Sequence, residues 1–396
     1  MPGNAASSET APSRLPSLTG LRFFAALLVF CFHVTLTNSP IPPNKPINPF
    51  ADPGIAEASA WLFSKAGYVG VSFFFVLSGF VLTWAARQGE GVLPFWRRRV
   101  LKIFPNHLVM WAASMLLFAA AITPWTAWLP NIFLLHSFFP QDYIYVGVNP
   151  PSWTLCSELL FYLAFPFLIR PVRRISASRL WWWVAAAVAA MVVVELVTQF
   201  LIPDTPRSPI TPVSTLQFWF GYIFPPVRMF EFVIGVLLAR IVLAGRWPAV
   251  TIPQALFATA LGYAAALYVP FLYGFNVATI LPIVALIGAV ATADVRGSSR
   301  LLARPAMRWL GEISFGFYLC QGVTVFYVRR LLGHENGFAT PAALGIIAVL
   351  FVVTLAGGWL LYALVERPAM RRWSRSRKPR QPVPPARAQL SEPTSA

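Results

Sequence analysis

Charge is what this chain has least of. Asp, Glu, Lys and Arg make up 11% of its 396 residues, against about a quarter in an ordinary soluble domain. With 57% of the residues hydrophobic, that scarcity excludes a soluble globular protein. Acids are the rarer sign, 14 against 31 Lys and Arg. Cysteine is nearly absent, and Cys31, Cys156 and Cys320 all fall inside apolar runs. An odd, membrane-buried set gives no disulfide framework and no metal-ligand spacing, so no metal site is expected. Lysine is scarce too, 4 against 27 arginines, a bias that points to a GC-rich bacterial genome and hence to the bacterial plasma membrane. The net charge of +17 would suit nucleic acid, but most basic residues lie between apolar segments, where membrane topology puts them. No nucleic-acid partner is therefore expected, and membrane lipids are.

What the chain has is apolar length. Crossing about 30 Å of hydrocarbon takes about 20 apolar residues per helix. Ten segments qualify: about 19–37, 66–86, 103–122, 151–169, 180–202, 219–243, 252–272, 275–293, 309–330 and 341–365. The expected fold is all-α, a polytopic transmembrane bundle of about ten spans. The first apolar run lacks a small-residue cleavage site after it and reads as a retained span. Starting inside, 25 basic residues fall on the cytoplasmic side and five outside (Lys45, Lys65, Arg207, Arg329 and Arg330), with Arg228 inside a span. Both termini are then expected in the cytoplasm. Arg87 reads as one more such topology signal, and the pair Arg329/Arg330 as the local exception. The stretch 125–139, "WTAWLPNIFLLHSFF", is too short and too interrupted by Trp and Pro to span, and suits an interfacial or re-entrant segment. The chain divides into a polar segment 1–18, a transmembrane domain 19–370 and a basic Pro/Ser-rich tail 371–396. Such a tail is expected to be disordered.

Intramembrane titratable groups are costly and functional by default. In "RFFAALLVFCFH" Arg22 and His33 are eleven residues apart, about 1100° of helix and roughly 20° beyond three turns, so they share a face. His33 then lies about 16–17 Å above Arg22, in the outer half of the membrane. In "NPPSWTLCSELLFYLAFP" the span enters from outside and carries Glu158 roughly 10 Å deep, at about the level of His33. A base with an orienting carboxylate is one reading of the two, and a buried structural pair is the other. Trp153 precedes Glu158 on the same span. Tyr318 and Gln321 in "LGEISFGFYLCQG" rise to a similar level, and "GVSFFFVLSGFVLTW" adds Ser72 and Ser78. Its glycines, Gly70 and Gly79, suit close helix packing. In "FWRRRVLKIFP", Arg98, Arg99 and Lys102 form a cationic cluster on the membrane side of Arg22. Such a cluster serves topology or anionic lipid, or grips phosphate.

At these residues the chain resembles the acyltransferase-3 family of bacterial integral-membrane O-acyltransferases. The likeness spans about 15–370 and rests on six elements in order: Arg22 with His33, "GVSFFFVLSGF", "RRRVLKIFP", "SWTLCSELLFY", "GEISFGFYL" and "VERP". It implies transfer of an acetyl or other short acyl group from acyl-CoA to a hydroxyl of an envelope glycan, another carbohydrate or a secondary metabolite such as a macrolide. On that reading Arg22, Arg98, Arg99 and Lys102 hold the coenzyme phosphates. His33 is the base, Glu158 orients it, and Ser72, Ser78, Trp153, Tyr318 and Gln321 support the substrates. Three positions depart from the family pattern. Lys102 replaces the second arginine of a basic-x-x-Arg motif, Cys156 stands where a small residue is usual, and Gln321 stands where a histidine often follows. A proton-coupled transporter or flippase using His33, Glu158, Arg228 and Glu231 is the competing reading, and a lipid-binding scaffold the third.

Overall fold

The computed structural model describes residues 15–87, 89–298, 301–333 and 336–373. Most of the polar segment 1–18, nearly all of the tail 371–396, and the basic residues Arg14 and Arg300 lie outside the described residues. Fifteen helices follow one another. They are α1 (Pro16–Val34), α2 (Pro53–Phe63), α3 (Ala66–Trp84), α4 (Val92–Leu117), α5 (Trp125–Ile132), α6 (Asp142–Tyr145), α7 (Trp153–Arg174) and α8 (Leu180–Leu201). Then come α9 (Thr215–Phe218), α10 (Pro225–Leu243), α11 (Ile252–Tyr268), α12 (Ile280–Val295), α13 (Pro305–Leu331), α14 (Thr340–Leu360) and α15 (Arg367–Trp373). Among the described residues there is no β-sheet, only two isolated bridges. The chain is an all-α polytopic membrane protein, as its composition requires.

Every one of the ten expected segments contains a helix. Six stretches are long and apolar enough to cross a membrane: Pro16–Val34, Pro53–Trp84, Val92–Leu117, Pro150–Arg174, Ala177–Leu201 and Thr340–Trp373. Helices α11 and α12 are apolar but shorter, while α10 carries Arg228, Glu231 and Arg240, and α13 carries Arg308, Glu312, Arg329 and Arg330.

Helix α4 begins a full three turns before the expected span. No helix breaker separates Val92 from Leu101, and Pro94 falls in the first turn, where an N–H has no intrahelical partner to lose. The basic run is therefore helical, not a loop. Helix α5 and the turn after it fold back into the bundle, with Asn131, His136 and Ser137 fully buried. His107 donates from Nε2 to Asn131 O at 2.8 Å, Asn131 donates to Gly147 O at 3.1 Å, and Ser137 donates to Trp153 O at 3.0 Å. These bonds tie the segment to α4, to the loop at Gly147 and to the start of α7, giving buried polar groups partners away from water. The basic exception Arg329 is explained in the same way. It is buried and donates to Ile47 O, Gly333 O and Asn336 O at 2.7–3.1 Å, joining the end of α13 to the loop after α1.

The largest interfaces are α3 with α10, α1 with α13, α13 with α14 and α1 with α3. Helices approach closely where a side chain is missing. A Cβ on Gly79 would overlap the Phe232 carbonyl of α10, and one on Gly235 would overlap the Val76 carbonyl of α3. The expectation of packing for Gly79 thus has its partner. Gly345 of α14 has nothing within 4 Å of the corresponding point. Gly79→Ala should therefore lower the melting temperature of the detergent-solubilised protein, since overpacking costs about 1–3 kcal/mol. Gly345→Ala should leave it unchanged or raise it, because alanine is the better helix former. Equal melting of the two variants would remove the close α3–α10 approach as a constraint.

Candidate active site

Two cavities are stacked along the bundle between α1, α3, α7 and α13. The first, of about 680 Å³, is lined by Phe32, His33, Tyr68, Trp153, Tyr222 and Tyr318 among others. The second, of about 410 Å³, is lined by Arg22, Thr154, Glu158, Ser314, Phe315 and Tyr318 among others. Each helix contributes to them in a consistent order. On α1, Arg22 belongs to the second cavity and Val29, Phe32 and His33 to the first. On α13, Ser314 and Phe315 precede Tyr318, which lines both. On α3 and α7 the order is reversed, as antiparallel neighbours require. We call the His33 cavity outer and the Arg22 cavity inner, following the charge distribution.

His33 is held by Gln321. Its Nδ1 lies 2.8 Å from Gln321 Oε1, and the amide orientation is set because Gln321 Nε2 donates to Ala26 O at 3.3 Å. A carboxamide oxygen only accepts, so Nδ1 carries the proton and Nε2 keeps its lone pair. That nitrogen is the one available as a base.

The expected His33–Glu158 pairing does not form. The two residues share no hydrogen bond and line different cavities, with Glu158 on the inner side of Tyr318. Depth counted from sequence placed the start of α7 at the outer surface. Instead Pro150 and Pro151 are already buried inside the bundle, and Glu158 lines the inner cavity. Its neighbours are Arg22, Lys102, Arg99 and the Tyr162 phenol, and Ser78 lies beside that phenol. Ser72 belongs elsewhere. Its hydroxyl accepts from Arg228 Nη2 at 3.4 Å, beside the buried Arg228–Glu231 ion pair of 2.7 Å, and it lines neither cavity.

Of the four expected phosphate-binding cations, two are engaged by acids. Arg98 pairs with Glu90, and Lys102 with Glu366, whose other oxygen accepts from Asn106 at 3.0 Å. Arg22 Nε and Arg99 Nε are buried without a hydrogen-bond partner. Arg99 packs over the rings of Phe95 and Tyr162 at 5.6 and 5.8 Å. Arg87, Arg98 and Arg99 together line a third cavity of about 670 Å³, and Arg170 and Arg173 line a neighbouring one with Arg87. Arg87, expected only as a topology signal, thus lines a cavity together with Arg98 and Arg99, and Arg170 and Arg173, which the sequence did not single out, line the neighbouring one. Nothing in their local sequence distinguishes them from the other basic residues at span ends. Also missed was the buried group in which His136 meets Ser152 Oγ at 3.3 Å and Cys156 Sγ at 3.4 Å. Its residues are scattered over spans and loop, and it lines neither stacked cavity. Among the described residues no cluster of ligands could hold a metal ion.

Comparison with known proteins gives this geometry a family. A family profile described as an acyltransferase domain matches residues 15–363. The chain is 37% identical to "Acyltransferase MdmB" of Streptomyces mycarofaciens, over 92% of this chain and 94% of that protein. It is 28% identical to "Exopolysaccharide production protein ExoZ" of Rhizobium meliloti, over 77% of this chain and 90% of the relative. It is 23% identical to "Peptidoglycan O-acetyltransferase OatA" of Listeria monocytogenes, over 77% of this chain and 48% of the relative. No solved structure matches. With the profile running almost the full length of the bundle that holds both cavities, the chain belongs to the acyltransferase-3 family of membrane acyltransferases.

Proposed function

We propose that this protein is an O-acyltransferase of the bacterial plasma membrane that takes an acetyl or other short acyl group from acyl-CoA. The acceptor is a hydroxyl of an envelope glycan, another carbohydrate or a secondary metabolite such as a macrolide. One observation carries the reading: an imidazole lining a cavity with its Nδ1 proton fixed by Gln321, next to a second cavity lined by an arginine whose buried Nε has no hydrogen-bond partner. Buried donors without partners call for an explanation, and an anionic ligand supplies one for Arg22 Nε and Arg99 Nε. On this reading the nucleotide phosphates of the donor lie against Arg99, Arg98 and Arg87 at the cytoplasmic mouth. The thin pantetheine arm runs past Arg22 through the inner cavity, and the acceptor occupies the outer one.

The acceptor hydroxyl donates its proton to His33 Nε2 as its oxygen attacks the thioester carbonyl carbon. The new C–O bond forms and the C–S bond breaks. The imidazolium returns the proton to the departing thiolate, leaving an ester and free coenzyme A. Gln321 holds the tautomer and the ring orientation, the part that an orienting carboxylate plays in hydrolytic triads. Glu158 then acts on the donor side, balancing Arg22, Arg99 and Lys102.

His33→Ala should lower the rate of transfer by about 10²–10⁴-fold, the usual worth of a general base, with membrane insertion unchanged. Product formation from acyl-CoA by the purified variant measures it, and near wild-type turnover would remove His33 from the chemistry. Arg99→Ala and Arg87→Ala should both raise the KM for acyl-CoA with little effect on the acceptor KM. A lost charge-assisted hydrogen bond is worth about 1.5–3 kcal/mol, or roughly 10- to 150-fold. Arg246, exposed beyond α10 and outside these cavities, is the control. A donor KM shift in Arg246→Ala as large as in Arg99→Ala would reduce the cluster to general electrostatics.

A further inference from the structure

The outer and inner cavities have two lining residues in common, Val71 of α3 and Tyr318 of α13. Both are buried, 4% and 6% exposed. The Tyr318 ring is fixed from several directions. Its hydroxyl lies 3.0 Å from Pro151 O and 3.1 Å from Thr154 Oγ1, and its ring centre is 6.1 Å from that of Phe74. Arg22 and Glu158, which the proposed function assigns to the donor end, line the cavity on one side of this pair. His33 is on the other.

That separation matters chemically because a base that takes a proton from an acceptor hydroxyl takes one equally well from water. Were a thioester to stand beside His33 with no acceptor present, water would attack its carbonyl carbon. The C–S bond would break, His33 would pass the proton to the thiolate, and the products would be a free carboxylic acid and coenzyme A. Resting on the acyl-CoA reading above, we propose that Tyr318 and Val71 form a partition that keeps the thioester out of the outer cavity until an acceptor is seated. The pair is then a determinant of acceptor over water. The passage opens when the Tyr318 hydroxyl leaves Pro151 O, at the floor of the cavity that the acceptor fills, and Thr154, on the inner-cavity wall. Neither residue exchanges a proton with the substrates; both position.

The test uses the full chain in liposomes with acetyl-CoA and no acceptor, following release of free thiol. Wild-type protein should release thiol at background rate. Tyr318→Ala should release it at least about tenfold faster, and His33→Ala in the same background should abolish that leak. Val71→Ala, a milder change on the opposite wall, should leak in the same direction should Tyr318→Ala fail to fold. Folded Tyr318→Ala and Val71→Ala variants that both stay at background, and that leave the inner cavity closed to a thiol reagent in the second readout below, would overturn the proposal.

A second readout needs no turnover. Ser314→Cys places a thiol on the inner-cavity wall, in a chain whose half-buried Cys31 is replaced by serine. A membrane-impermeant thiol reagent added on the His33 side should label it only when Tyr318→Ala is also present. Labelling of Ser314→Cys with Tyr318 intact would overturn the partition. The expected labelling without any thiol release from acetyl-CoA would uphold the partition and discard the donor assignment instead.

Discussion

The hydrogen bond between His33 Nδ1 and Gln321 Oε1, 2.8 Å long, is the contact on which the site depends. It crosses the α1–α13 interface, one of the most extensive in the bundle, and its direction is set by a second bond from the same amide to the Ala26 carbonyl. A neutral imidazole in a membrane interior has two possible tautomers and no water to choose between them. Gln321 makes the choice, because its oxygen can only accept. A carboxylate in this position would introduce a charge where none is compensated, whereas a carboxamide orients the ring at no such cost.

The same constraint, that polar groups away from water must find partners within the protein, shapes the remainder. The folded-back segment between α4 and α7 is held in the bundle by hydrogen bonds from His107, Asn131, Ser137 and Ser152 to buried backbone carbonyls. That network sets how deep α7 starts, and hence that Glu158 belongs with Arg22 and not with His33. Arg228 and Glu231 form a fully buried ion pair on α10, with the Arg228 guanidinium 4.5 Å from the centre of the Tyr222 ring that lines the outer cavity. The pair is tied into the wall of the site, which leaves it poorly placed as a link between His33 and Glu158.

Charge is used in two ways around the inner cavity and the basic cluster of α4. Arg98 and Lys102 are held by Glu90 and Glu366, so these two acids each restrain one cation. Arg22 and Arg99 keep buried Nε donors without partners, and these are the groups with capacity left for an anionic ligand.

Composition and hydrophobic length determined that the chain is an all-α polytopic membrane protein, because 11% charge and repeated runs of about 20 apolar residues leave no other solvent for it. The order of short motifs around Arg22, His33 and Glu158 indicated the family. Helix periodicity put Arg22 and His33 on one face of α1, since 3.6 residues per turn is a local property, and both do line the stacked cavities. Tertiary structure decided everything that depends on where a helix begins and which neighbour it meets. It started α4 at Val92, sank the start of α7 into the bundle, gave His33 to Gln321, and sent Ser72 to Arg228. It gathered Arg87, Arg170 and Arg173 near Arg99 from positions that look alike in sequence. Sequence spacing measures height along one helix; the zero of that height, and the partner across the interface, are set by packing between helices far apart in the chain.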